Sequence, residues 1–76
     1  MSDMKYIRFE DMGIIIFGSH IPHTTMKQLI NDEVVSAGFV SLSDKNASCY
    51  GESVGLDVKS DEQDTNFLRR ILTPFS

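Results

Sequence analysis

The sequence predicts an α+β domain in the order β-β-α-β-β-α, with a four-stranded antiparallel sheet and two helices packed on one of its faces. Three observations predict it. Apolar residues alternate, or run as β-branched blocks, at residues 4–9, 13–18, 34–43 and 47–59. Residues 25–32 and the stretch from Ser60 to Pro74 instead carry apolar residues at helical spacing behind capping residues. The 76 residues allow one small domain over 1–76, so the elements must share one sheet.

Residues 4–9 read as the first strand, with Ile7 and Phe9 on one face and Tyr6 and Arg8 on the other. Glu10-Asp11-Met12-Gly13 reads as a turn, with Gly13 free to take a positive φ. The three isoleucines of residues 13–18 are β-branched and suit a strand. So unbroken an apolar run implies that both faces are covered or that one meets a partner. The short link makes an antiparallel hairpin.

Residues 25–32 read as a short helix, with Thr25 as N-cap, Gln28 at the capping-box position, and Met26, Leu29 and Ile30 as the buried stripe. Asp32 and Glu33 oppose its dipole and keep it short. In the third strand, residues 34–43, Val35, Ala37 and Phe39 face one way and Val34, Val40 and Leu42 the other. Residues 47–59 read as one long fourth strand, bent at Gly51 and Gly55, with Tyr50, Val54, Leu56 and Val58 of one parity and Cys49 of the other. The last helix is capped by Ser60 with Gln63 closing a capping box. Acids fill its first turn, Phe67, Leu68, Ile71 and Leu72 form its apolar face, and Pro74 stops it.

Composition excludes several classes of function. Seven Lys and Arg against eleven Asp and Glu give a net charge of −4, which argues against direct nucleic-acid binding. The longest apolar run, residues 14–17, is far too short to span a membrane, and no signal peptide is visible, so a cytoplasmic protein is expected. One cysteine, Cys49, can form neither an internal disulfide nor a multi-thiolate zinc site. So small a domain has little apolar surface to spare for a deep pocket, which favours a binding surface over an enclosed active site.

The chemistry-bearing residues agree. His20 and His23 lie three apart in a loop, but a zinc site needs at least three protein ligands and no third is indicated, so no metal or other cofactor is expected. Cys49 has the neighbours of an ordinary strand thiol. Gly51 and Gly55 lack the Gly-Lys-Ser/Thr ending of a phosphate loop. No catalytic residue is assigned. The acids are more informative: Glu10-Asp11, Asp32-Glu33, and Asp57, Asp61, Glu62 and Asp64 form three groups. Capping and solubility account for part of this pattern. The functional reading is a negative surface that meets a basic groove on a partner.

At Tyr6-Ile7-Arg8-Phe9, Ser36-Ala37-Gly38-Phe39 and Cys49-Tyr50-Gly51-Glu52-Ser53, and at Asp64-Thr65 followed by Leu68 and Leu72, the chain resembles small phage- and prophage-encoded proteins. Some proteins of that size and acidity are anti-CRISPR inhibitors. The resemblance implies a setting inside a bacterial host and inhibition by binding. It assigns no residue. The expectation is a non-enzymatic inhibitor that binds a bacterial type I CRISPR effector complex and blocks target DNA, its acidic surface standing in for DNA phosphates. The alternative is a small phage or bacterial regulatory module that binds another protein, monomeric or homodimeric through a sheet face or edge. An exposed patch of Tyr6, Ile15, Phe17 and Tyr50 would favour that alternative.

Overall fold

The computed structural model describes residues 3–43 and 46–72, without the side chains of residues 71 and 72. The elements are β1 (Asp3–Phe9), β2 (Gly13–Phe17), α1 (His23–Leu29), β3 (Val34–Ser43), β4 (Asn46–Tyr50), β5 (Glu52–Ser53), β6 (Val58–Lys59) and α2 (Glu62–Leu72). The expected four-stranded antiparallel sheet forms, in the order β2-β1-β3-β4, and β5 and β6 pair as a separate two-stranded ribbon. Among the described residues no helix is long and apolar enough to cross a membrane.

Strand register decides where each helix must go. Tyr6 pairs with Ile16 and Gly38, and Ile7 pairs with Ile15 and Ala37, so successive residues of β1 enter different layers. Tyr6, Val40 and Ala47 form one core with Leu68 of α2. Ile7, Phe9, Phe17 and Ala37 form another, packed by Met26 of α1, by Ile30 at its C-cap, and by Leu56 and Val58 from the β5–β6 segment. The helices therefore lie on opposite faces of the sheet rather than on one. The physical reason is that β1 is apolar on both sides, and leaving Ile7 and Phe9 in water would forfeit about 1.5–3 kcal/mol for each side chain.

Two departures in the strands have local causes. Arg8 pairs with Ser36 but Phe9 with Val34, so Val35 is the extra residue of a β-bulge. The bulge turns Val34 into the core of Ile7 and Phe9, not onto the side of Val40. The expected fourth strand ends at Tyr50, where Gly51 takes φ +75° and redirects the chain into β5. The chain crosses Gly38 closely there: a Cβ on Gly38 would lie 2.5 Å from the carbonyl oxygen of Tyr50.

Both helices start where a buried side chain demands. α1 begins at His23, two residues before Thr25, with Pro22 as an N-cap that makes no side-chain bond. The His23 ring inserts edge-on between Phe17 and Phe39, at centroid distances of 5.6 and 5.8 Å. That insertion rotates the helix so that His23, Met26 and Ile30 face the sheet. Leu29, expected in the buried stripe, is 72% exposed. In α2 the capping box is made by Asp61 and Asp64 rather than by Ser60 and Gln63. Asp61 Oδ1 accepts the Gln63 N–H at 3.0 Å, and Asp64 Oδ2 accepts the Asp61 N–H at 3.2 Å. Leu68 is buried, Phe67 is exposed under the Arg8 guanidinium, and the expected contacts of Ile71 and Leu72 lie outside the described residues.

Candidate functional site

Asp64 shows which acids are structural. Its carboxylate is fully buried and accepts from the Tyr6 hydroxyl at 2.5 Å, the Ser36 hydroxyl at 2.6 Å and the Arg8 guanidinium at 3.1 Å. Asp64 is thus removed from the expected acidic surface, because a buried carboxylate with four donors around it locks α2 to β1 and β3. Asp57 lies in the turn between β5 and β6, and Asp61 and Glu62 lie at the start of α2; all three are exposed.

The structure brings the other four acids together. Asp32, in the link from α1 to β3, accepts three backbone N–H groups. Its Oδ2 takes Asp11 at 3.1 Å and Met12 at 2.8 Å, and its Oδ1 takes Glu33 at 2.8 Å. The backbone of Glu10 donates to the carbonyl of Glu33 at 2.9 Å. These bonds tie the β1–β2 turn to the start of β3, although the two segments are some twenty residues apart in the chain. Hydrogen bonds, the one from Met12 first, hold the Asp32 carboxyl below its usual pKa. Glu10 moves the other way: its carboxyl hydrogen-bonds that of Glu33, and the adjacent negative charges raise its pKa.

Glu10, Asp11, Asp32 and Glu33 line a shallow cleft with Asn31 and Lys27, so four carboxylates face one ammonium. An adjoining hollow shares Asp11, Asn31 and Asp32 and is completed by Met12, Leu29 and Ile30. Met12 is 59% exposed. The result is an exposed apolar group, Met12 and Leu29, with acids along one side of it. The sequence points to these four acids but not to Met12 and Leu29 beside them. An apolar residue inside an acidic turn was the available signal for Met12. Nothing short of the rotation imposed by His23 exposes Leu29.

The remaining candidates are accounted for by packing. His23 is buried, its Nε2–H donates to the Gly38 carbonyl at 2.8 Å, and burial lowers its pKa; His20 is exposed. Cys49 is half-buried, and burial raises its thiol pKa, which disfavours the nucleophilic thiolate. Among the described residues no group of three or more His, Cys, Asp or Glu is placed to hold a metal ion. The apolar patch of Tyr6, Ile15, Phe17 and Tyr50 that would have favoured the regulatory-module alternative does not form, because Tyr6 and Phe17 are buried in different cores. A small cleft of about 230 Å³ lies between Arg8 and Arg70, but Arg8 is already committed to Asp64. No protein-family model, curated protein or solved structure matches the chain.

Proposed function

We propose that the protein is a non-enzymatic binding module. Its acid-rimmed patch docks onto a basic protein surface that has an apolar recess for Met12 and Leu29. The observation that carries this reading is the Asp32 clamp, which holds Glu10, Asp11 and Glu33 beside one another against their mutual repulsion. Carboxylates crowded in this way gain more from an incoming cation than scattered ones do. The exposed apolar residues at the centre supply what charge alone does not, a desolvated anchor.

The biological form of this proposal is an anti-CRISPR-type inhibitor. The module occupies the DNA-binding groove of a bacterial type I CRISPR effector, with its carboxylates standing where target phosphates would lie. A second reading is favoured by the exposure of Leu29: a regulatory module whose partner is chosen by the apolar centre, with the acids only steering the approach.

Competition on the isolated effector complex tests the first form. Excess protein displaces target DNA if the two share a groove. Simultaneous occupancy of the complex by DNA and protein rejects it. The Leu29→Ser and Glu10→Lys/Asp11→Lys variants separate the two readings. Loss of complex lifetime in the first with an unchanged on-rate identifies the apolar centre as the anchor, whereas loss of on-rate in the second identifies charge as the steering element.

A further inference from the structure

The two edges of the sheet are treated differently. At the β4 edge, α2 covers the backbone: the Cys49 N–H donates to Thr65 Oγ1 at 2.9 Å, and Arg69 Nε donates to the Ala47 carbonyl at 3.1 Å. Side chains thus take up groups that an incoming strand would otherwise use. At the other edge β2 pairs with β1 alone, and among the described residues no hydrogen bond reaches the backbone groups that alternate residues of β2 turn outward. The strand reads Gly-Ile-Ile-Ile-Phe. It carries no charge, no proline and no bulge, the devices that normally protect an edge.

We propose that β2 is a self-association edge that pairs antiparallel with β2 of a second copy of this chain, joining two four-stranded sheets into one of eight strands. The strand is complementary to itself. A twofold axis at Ile15 sets Ile14 of one copy opposite Ile16 of the other. Ile14 and Ile16 belong to the Tyr6–Val40 core and Ile15 to the Ile7–Phe9 core, so both cores continue across the junction. Charge selects the antiparallel arrangement. A parallel pairing would bring the two Glu10-Asp11 turns side by side. The antiparallel one carries each turn to the opposite end of the partner strand, where Lys5 lies opposite Phe17 and His20 follows. Two strand spacings, about 10 Å, separate the turn from the partner's Lys5, close to one Debye length. Each dimer then presents two copies of the acid-rimmed patch at opposite ends of the joined strands, a bivalent surface. A five-residue edge makes a small interface and therefore a weak, concentration-dependent dimer.

Sedimentation and amide exchange across a dilution series test this, from about 10 µM to about 1 mM, the range of a weak association. The expected result is a monomer–dimer equilibrium in which amides of β2 gain protection as concentration rises and those of β4 do not. Ile14→Lys and Ile15→Lys place a charge on either face of the same edge, and each weakens dimerisation at least about tenfold in protein that circular dichroism shows to be folded. A monomer at every concentration overturns the proposal. So does a dimer whose protection falls on β4, or a folded lysine variant that dimerises as the parent does. If both lysine variants fail to fold, the exchange pattern of the parent protein decides alone.

Discussion

Tyr6, in the centre of the sheet, donates its hydroxyl to Asp64 in the first turn of α2, 58 residues along the chain, and neither side chain reaches solvent. The same Asp64 oxygen accepts the Ser36 hydroxyl and the Asp61 N–H. One carboxylate therefore closes the capping box of α2 and fastens that helix to two strands. Its loss would strand several polar groups in the core at once.

Asp64→Ala is accordingly expected to destabilise the protein by several kcal/mol, because it leaves the buried Tyr6 and Ser36 hydroxyls without an acceptor at about 1–3 kcal/mol each. Tyr6→Phe removes one donor of four and is expected to cost about 1–3 kcal/mol. Thermal unfolding of the two variants reads the order directly. An Asp64→Ala protein that melts above Tyr6→Phe contradicts the network.

Among the described residues, Leu68 is the buried apolar contact of α2 with the Tyr6–Val40 core. Leu68→Ala is expected to cost about 2–5 kcal/mol. Each kcal/mol lowers the midpoint of a domain this size by about 4–8 °C. A shift of a degree or two would mean that α2 is not docked on this face.

His23 gives stability a defined acid dependence. Burial lowers its folded pKa below the ordinary value of 6.5. The unfolded chain then takes up the proton first as pH falls, so stability is full above about pH 7 and declines below 6.5, until the folded ring also titrates. Glu10, whose pKa is raised, contributes with the opposite sign, since its folded form holds the proton more tightly. Denaturant unfolding of the Glu10→Gln protein between pH 7 and pH 5.5 isolates the His23 effect, and His23→Leu in that background is expected to flatten it.

At the alkaline end the burial of Tyr6, with its hydrogen bond to Asp64, holds its hydroxyl protonated well above its ordinary range. The unfolded tyrosine ionises near pH 10, so stability falls as pH rises past 10. Tyr50, bonded to Asp3 on the surface, is also raised. Phenolate absorbance in a Tyr50→Phe protein therefore is expected to appear together with unfolding, not before it.

The strand order of the first hairpin and the turn at Gly13 were legible because each is specified within a few residues, whereas the cap of α2 falls on Asp61 and Asp64 and not on Ser60 and Gln63. The choice of faces was not. It depends on β1 being apolar on both sides, a fact present in Tyr6-Ile7-Arg8-Phe9 but decisive only once α1 and α2 compete for the same sheet. The site was legible in part for the same reason. Glu10-Asp11 and Asp32-Glu33 are visible as acidic pairs, yet their union rests on three backbone donors converging on Asp32 from different segments. Asp64 misled because a carboxylate in a first turn looks like a dipole partner, and only the Tyr6 and Ser36 hydroxyls reveal it as buried.

The Asp32 clamp has its own test. Asp32→Ala is expected to speed amide exchange at Asp11 and Met12 while leaving the β1–β3 ladder protected, because it removes the acceptor of both amides and nothing from the sheet. The carboxylate stays charged below its usual range, so the protection of these amides in the parent protein is expected to survive mildly acidic pH. Loss of protection across the whole sheet would show the clamp to be a folding element rather than a device that shapes the patch.

The central claim is that the acids around Met12 and Leu29 meet a basic partner. The most direct measurement is the association rate with an isolated type I effector complex as a function of salt, for the parent protein and for Glu10→Lys/Asp11→Lys. The account predicts an on-rate that falls as salt screens the charges, and a variant that associates at least about tenfold more slowly at low salt while keeping its fold. Equal on-rates for parent and variant, with no dependence on salt, would contradict it.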